Sequence, residues 1–241
     1  DAARALGQAT AEVHLAMARA LPTAVLRRPQ IEHLAAAMSE RLDSAAAAVP
    51  ALQPYRAELH GAYEDLAALG RAGRTWAAQR IHGDLHLGQA LLTGDGDGDG
   101  DGDGDGEGDG DGEGDGDGRG GGIGGGRWSL IDFEGEPSRP LAERRRPQPP
   151  VRDIAGMLRS FDYAAAVGRH ERPQEWAGRT RAAYCAGYAE ASGTDPRAEP
   201  ELLRAHETDK AVYEVLYEAR HRPDWLSVPM TAIRRLATAR A

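Results

Sequence analysis

The sequence predicts an α+β fold that is predominantly helical, in which a helical lobe surrounds one small β-hairpin. In long segments of the chain, apolar residues recur every three or four positions, which is typical of amphipathic helices. Two short apolar runs, 89–92 and 128–132, have the length and composition of strands. With 241 residues, the chain is long enough to bury a sizeable core around these elements.

Three helices are predicted before the hairpin, and we expect this part of the chain to be helical throughout. The predicted segments are 1–19, 30–49 and 55–69. The second is the clearest because Ile31, Leu34 and Met38 share one stripe of its surface. The third is expected to stop at Gly70 or Gly73, since glycine commonly terminates a helix.

After the hairpin the sequence predicts a loop and then four more helices. Residues 137–150 are rich in Pro and Arg and show no periodicity, so they are expected to form the loop. The predicted helices cover 151–166, 174–191, 199–222 and 229–240. The hairpin therefore lies between two helical regions of the chain.

The two strand-like runs are separated by Gly94–Gly126, an almost strict alternation of Gly with Asp or Glu. This tract contains one apolar residue, Ile123, so it cannot bury enough surface to offset the entropy of ordering it. We predict a disordered insertion at the tip of the hairpin. A Ca²⁺-binding β-roll is disfavoured because such repeats need a hydrophobic position in every turn.

The composition excludes several classes of protein. The formal net charge is −9, but residues 95–117 hold twelve acids and no base, so the rest of the chain is nearly neutral. Neither a nucleic-acid partner nor a membrane is expected, because there is no strongly basic field and no apolar run of roughly 18 residues. A single cysteine, Cys185, excludes an internal disulfide framework and favours a reducing, cytoplasmic location.

Two short strings indicate the chemistry of this chain. They are RIHGDLHLGQ at 80–89 and WSLIDFEGEP at 128–137, and in this order they are typical of the catalytic loop and the metal loop of a kinase. Phosphoryl transfer from ATP needs a carboxylate that orients the acceptor hydroxyl and oxygen ligands for Mg²⁺. Asp84 is the candidate catalytic base, and Gln89 and Asp132 are the candidate Mg²⁺ ligands.

Three residues near these strings are candidates for supporting roles. His82 is expected to shape the loop that carries Asp84, and Asp153 is expected to begin a helix and to brace that loop. His86 is a candidate contact to phosphate or substrate. A structural hydrogen bond is an equally good interpretation of His86.

A candidate sugar-binding face lies on the helix predicted at 199–222. Lys210, Tyr213 and Tyr217 are spaced i, i+3 and i+7, which places them on one helical face. Aromatic rings can cover the C–H faces of a sugar, while ammonium and hydroxyl groups bind its hydroxyls. An ordinary place in the core is the other interpretation of the two tyrosines.

Three long segments resemble the actinobacterial maltokinases, which are aminoglycoside-phosphotransferase-like kinases. The segments are 131–146 (IDFEGEPSRPLAERRR), 152–163 (RDIAGMLRSFDY) and 209–223 (DKAVYEVLYEARHRP). The resemblance implies the C-terminal lobe of a protein-kinase-like fold. It also implies transfer of the ATP γ-phosphoryl group to C1 of maltose for α-glucan and glycogen synthesis, and some members of the family are fused to trehalose synthase.

The chain departs from this family pattern in two places. The tract 94–126 is not part of the pattern, and 1–241 contains neither a Gly-rich phosphate loop nor the strand lysine of kinases. We therefore expect a C-terminal lobe without its nucleotide-binding lobe, inactive when isolated. The other functions that remain are a kinase for another alcohol or aminoglycoside, and a non-catalytic module that associates with trehalose synthase.

Overall fold

In the computed structural model, which describes residues 2–93, 127–136, 140–168 and 170–238, long helices account for most of the chain. They are α1 (Ala2–Ala20), α2 (Arg28–Ala48), α3 (Arg56–Arg71), α5 (Val151–Val167), α6 (Pro173–Ser192), α7 (Pro200–His221) and α8 (Ser227–Thr238), and a single turn, α4 (Leu141–Arg144), precedes α5. All seven predicted helices are present, with ends within about two residues of the predicted ones over the described range.

Two expectations about the local structure are wrong. The chain before the hairpin is not helical throughout, because β1 (Ala24–Leu26) pairs antiparallel with β2 (Trp76–Ala78). Three residues, two of them alanine in β2, are too few for an alternating pattern to be recognised. Similarly, the segment 137–150 is not entirely a loop, since it contains α4, whose single turn is too short to give a helical period.

The predicted hairpin is confirmed. It is formed by β3 (Ala90–Thr93) and β4 (Arg127–Leu130), which are antiparallel, with Ala90 opposite Leu130. The strands differ from the prediction at their ends: Gln89 closes a 3₁₀ turn before β3, and Asp132 lies two residues beyond the end of β4. The tract predicted to be disordered, Gly94–Gly126, lies outside the described residues.

The core is formed where α5 and α7 pack against each other and against their neighbours. Helix α7 also contacts α2, α3 and α8, and α5 also contacts α6. The guanidinium of Arg159 on α5 is fully buried and donates to Glu214 on α7 at 2.8 Å and to Asp162. This buried ionic contact fixes α5 against α7, the two helices that carry Asp153 and Lys210.

Helices α1 and α6 approach each other closely through two glycines. A Cβ atom at Gly187 on α6 would overlap the carbonyl oxygen of Arg4 on α1, and one at Gly7 would overlap the carbonyl oxygen of Tyr184. This packing holds the N-terminal helix against the body of the lobe, and β4 also contacts α1.

Gly187→Ala is expected to lower the free energy of unfolding by about 1–3 kcal/mol, because the added methyl group must push the two backbones apart. Urea unfolding would measure this loss. The control is Gly178→Ala on the same helix, where a Cβ atom would have no neighbour within 4 Å. The control should be neutral or slightly stabilising, since alanine favours helices. Equal stability of the two variants would contradict the close contact.

Candidate active site

The loop that carries Asp84 follows β2 and meets the segment that follows β4. Gly83 has φ +89° and Gly135 has φ +78°, both in the left-handed region that favours glycine. A Cβ atom at position 83 would lie 3.2 Å from Cα of Gly135, so the two loops touch through their glycines. This contact joins the two sequence strings that were predicted to act together.

Asp153 lies beneath this loop and binds its backbone. The carboxylate, which is buried at the start of α5, accepts hydrogen bonds from the backbone N–H of His82 at 2.7 Å and of Gly83 at 2.8 Å. His14 Nε2 lies 3.0 Å from the same carboxylate, and His14 Nδ1 lies 3.0 Å from the hydroxyl of Tyr188. Helices α1, α5 and α6 thus jointly fix the position of the loop.

The hydrogen bonds outweigh the effect of burial on the Asp153 carboxylate. Burial alone would raise its pKa, but the contacts with His14 and the Gly83 N–H hold the pKa of Asp153 below its ordinary value. Asp153 is therefore ionised near neutral pH. Its charge strengthens the bonds to the two backbone N–H groups.

His82 ties the Asp84 loop to the segment after β4. Its Nε2 donates to the carbonyl oxygen of Ile131 at 2.7 Å, and its ring packs on Phe133 with 4.9 Å between centroids. Since a carbonyl only accepts, Nε2 carries the proton, and Nδ1 faces the backbone N–H of Asp84 at 3.4 Å. The imidazole is therefore placed to shape the loop.

Gln89 and Asp132 lie side by side. The amide nitrogen of Gln89 donates to Oδ2 of Asp132 at 2.9 Å, and Asp132 has φ +64°, a conformation uncommon for residues other than glycine. Among the described residues no three His, Cys, Asp or Glu side chains form a metal cluster. One carboxylate and one amide oxygen still fit Mg²⁺, which is commonly held by one or two carboxylates together with substrate phosphates and water.

Asp84 contacts the lysine that the sequence singled out. Lys210 Nζ donates to Oδ1 of Asp84 at 3.3 Å, and the ammonium lies 5.2 Å from the centroid of the Tyr213 ring. These three residues line one cavity, named here the Asp84 cavity. The rest of its described lining is formed by Gly83, Leu85, Glu136, Arg152, Asp153, Gly156, His206 and Asp209.

Two of the predicted substrate contacts are not in this cavity. Tyr217 stacks on Tyr213, with 6.3 Å between the ring centroids, but it does not line the Asp84 cavity. His86 accepts a hydrogen bond from the N–H of Gly88 at 3.1 Å and caps the turn before β3, and burial lowers the pKa of its imidazole. Tyr213 is 36 % exposed and Tyr217 is 41 % exposed, so neither tyrosine belongs to the core.

Several residues of the site were not predicted from the sequence. The Asp84 cavity is also lined by Glu136, Arg152, His206 and Asp209. His14 contacts Asp153, which is itself part of the lining. Asp209 and Arg152 are direct chain neighbours of predicted residues, so their proximity could have been noticed. His14 stands alone in an alanine-rich helix, where no local pattern distinguishes it.

The comparisons with known proteins agree with this architecture. Residues 1–100 match the Phosphotransferase enzyme family (APH). A glucosamine kinase from Streptacidiphilus jiangxiensis is 26 % identical over 239 residues, and one from Mycolicibacterium smegmatis (strain ATCC 700084 / mc(2)155) is 29 % identical over 161 residues. These alignments cover 93 % and 63 % of this chain, but 46 % and 33 % of the relatives.

Solved structures of glucosamine kinase have the same fold. Crystal form B superimposes with a TM-score of 0.74 at 25 % identity, covering 97 % of this chain and 52 % of the other. A complex with glucosamine, ADP and inorganic phosphate gives a TM-score of 0.73 at 25 % identity, covering 97 % and 51 %. The predicted fold class, predominantly helical and of the aminoglycoside-phosphotransferase-like kinase type, is confirmed.

The chain spans about half the length of the relatives it matches. Within the described residues, none of the helices has the length and apolar character needed to cross a bilayer.

Proposed function

We propose that this chain forms the acceptor-binding lobe of a sugar kinase that transfers the γ-phosphoryl group of ATP to a sugar hydroxyl. The observation that carries this is the arrangement around Asp84. Its carboxylate faces a cavity together with Lys210 and Tyr213. Gln89, five residues further along the same segment, bonds to Asp132 on the segment that follows β4. The similarity to glucosamine kinases supports the same class of reaction.

The proposed chemistry assigns one role to each group. Asp84 accepts the proton of the acceptor hydroxyl as its oxygen attacks the γ-phosphorus, the bond to the β,γ-bridging oxygen breaks, and ADP leaves. Lys210 orients the carboxylate through its 3.3 Å contact. Asp132 and Gln89 would hold Mg²⁺, which would neutralise charge on the phosphates when bound. Asp153 and His82 hold the loop in place.

We further propose that residues 1–241, interrupted by 94–126, are the C-terminal lobe of a longer enzyme whose other lobe binds ATP. The half-length coverage of the relatives supports this division. The resemblance to maltokinases also supports trehalose synthase as a partner, either fused or in a complex, and a place in glycogen synthesis. ADP release by the full-length protein, but not by residues 1–241 alone, would support the division.

Maltose is the substrate we favour, and the state of the carboxylates in the cavity agrees with it. Both carboxylate oxygens of Asp209 accept hydrogen bonds from Arg41, at 2.8 and 2.9 Å. Oε2 of Glu136 lies 3.6 Å from Nη2 of Arg152. Carboxylates already paired with guanidinium groups are poor partners for a second cation. A neutral sugar therefore fits this wall better than glucosamine, whose ammonium group needs an acceptor.

The activity can be tested by ADP release from the full-length protein with ATP·Mg²⁺ and either maltose, glucosamine or no sugar. We expect turnover that depends on maltose. Turnover with glucosamine alone would replace maltose as the substrate while keeping a sugar kinase. ADP release that does not respond to any sugar would overturn the proposed function.

Tyr213→Ala is expected to raise the KM for the acceptor sugar about tenfold while leaving the KM for ATP unchanged, since the ring covers the cavity beside Lys210. Steady-state kinetics with each substrate varied would measure both constants. Tyr217→Ala is the matched control, because Tyr217 is one turn away and similarly exposed but does not line the cavity. Equal effects of the two substitutions would contradict this placement of the sugar.

A further inference from the structure

His206 on α7 is a buried histidine with an unused hydrogen-bonding atom. The residue is 4 % exposed, and its Nε2 has no hydrogen-bond partner within the described structure. It lines the Asp84 cavity and also a second cavity, between α2 and the segment that precedes α5. A buried polar atom without a partner is costly, so its presence beside a cavity suggests that a ligand supplies the partner.

The location distinguishes His206 from the other buried polar atoms that lack a partner. Such atoms are also found in the side chains of Tyr63, Trp76, Arg144, Arg159, Tyr184 and Thr208. None of these residues lines the Asp84 cavity, as far as the described residues show. The imidazole therefore combines an unused hydrogen-bonding atom with a place in the candidate site.

The charged groups next to His206 already have partners. Lys210 is bound to Asp84, and both oxygens of Asp209 are bound to Arg41. His206 precedes Lys210 by four residues, so the two side chains lie about one helical turn apart on the same face, ~6 Å along the axis. Because Lys210 contacts Asp84 and both Asp84 and His206 line the same cavity, a hexose with one hydroxyl at Asp84 can present another hydroxyl toward His206.

The chemistry of the imidazole restricts the kind of ligand. Burial, assisted by the positive charges of Arg152 and Arg41 and opposed by Asp209, lowers the pKa of His206 to about 4. The ring is therefore neutral near pH 7 and can donate or accept one bond at Nε2, depending on the tautomer. A neutral hydroxyl group matches such an atom better than an anion does.

We propose that Nε2 of His206 forms a hydrogen bond with a hydroxyl group of the acceptor sugar and thereby helps to determine which sugar the site accepts. This inference rests on the proposed sugar-kinase function and adds a specificity-determining residue to it. It is separate from the roles of Asp84, Gln89 and Asp132.

The test is the binding of maltose and of glucosamine, by calorimetry without ATP, to the full-length protein and its variants. His206→Phe keeps a ring of similar size but removes the hydrogen bond, and it is expected to weaken binding of the accepted sugar about 5- to 150-fold. Its melting temperature should be equal to or above that of the wild type, because the unpartnered buried nitrogen is gone. His206→Gln, which keeps a polar group, should restore part of the affinity.

Thr208→Val is the matched control. Thr208 lies on the same helix, is fully buried and also has an unpartnered polar atom, but it does not line the Asp84 cavity. Its substitution should leave sugar affinity unchanged. Unchanged affinity in His206→Phe, or an equal loss in Thr208→Val, would overturn the inference.

The outcome for the wild type separates this inference from the proposed function. A wild type that binds a sugar but releases no ADP with it would refute phosphoryl transfer, and the comparison of variants would still decide the role of His206. A wild type that binds neither sugar would overturn the inference about His206.

Discussion

Asp84→Asn is expected to lower kcat of the full-length enzyme by about 10²–10⁴-fold, the usual contribution of a general base. Asparagine has nearly the same shape, but its amide cannot accept the proton of the acceptor hydroxyl. The side chain of Asp84 is a quarter exposed and its one described side-chain partner is Lys210 at 3.3 Å, so little packing depends on the charge. We therefore expect the melting temperature to change by no more than a few degrees.

The same ADP-release assay, together with thermal unfolding, measures both effects. Asp43→Asn is a suitable control because Asp43 is a half-exposed carboxylate on α2 that is likewise held by basic side chains, those of Arg56 and His60. The control should retain the wild-type kcat. If Asp84→Asn turned over sugar at a rate near that of the wild type, the assignment of the base would be wrong.

The helices could be predicted from the sequence because their apolar stripes continue for several turns. α2 and α7 are long enough for the period to be clear even in a chain rich in alanine. Elements of three or four residues, such as β1, β2 and α4, carry no such signal, since their formation depends on the partner strand or on tertiary packing. The first sheet was therefore missed. The hairpin strands are equally short, but they were found because an apolar run accompanies each of the two kinase-like strings.

The same distinction applies to the candidate site: residues within local strings could be predicted, and residues brought together only by the fold could not. Asp84, Gln89 and Asp132 lie within two short strings, so their order along the chain was sufficient to predict them. The contact between His14 and Asp153 joins residues that are 139 positions apart, and no local pattern indicates it. His206 was missed because an isolated histidine on a helix has no signal until its burial and its unused nitrogen are seen.

Asp153→Asn is expected to lower both stability and turnover, although Asp153 lies outside the two sequence strings that contain the proposed reacting groups. The buried carboxylate accepts two backbone N–H groups of the Asp84 loop and contacts His14. An asparagine has one acceptor oxygen, and its amide N–H groups would face other donors. Breaking a buried charged contact of this kind costs about 3–5 kcal/mol. Because the loop would shift, kcat should fall by about 100-fold or more.

The dependence of stability on pH gives a second readout for this variant. The pKa of Asp153 is lower in the folded protein than in the unfolded chain, so its contribution to stability is fully present above about pH 4 and is lost as the pH falls through the folded value. The asparagine variant lacks this titrating group. Urea unfolding between pH 2 and 6 should therefore show a smaller decrease in stability at acid pH for the variant than for the wild type.

Asp162→Asn provides the control that separates loop position from general destabilisation. Asp162 lies on the same helix, α5, and forms ion pairs with Arg159, Arg181 and Arg235, away from the Asp84 loop. Its substitution should lower the melting temperature while the folded enzyme keeps its kcat. If Asp153→Asn also kept its kcat below its melting temperature, the carboxylate would only stabilise the fold. A decrease in kcat confined to Asp153→Asn would instead show that α1 and α5 position the Asp84 loop for the reaction.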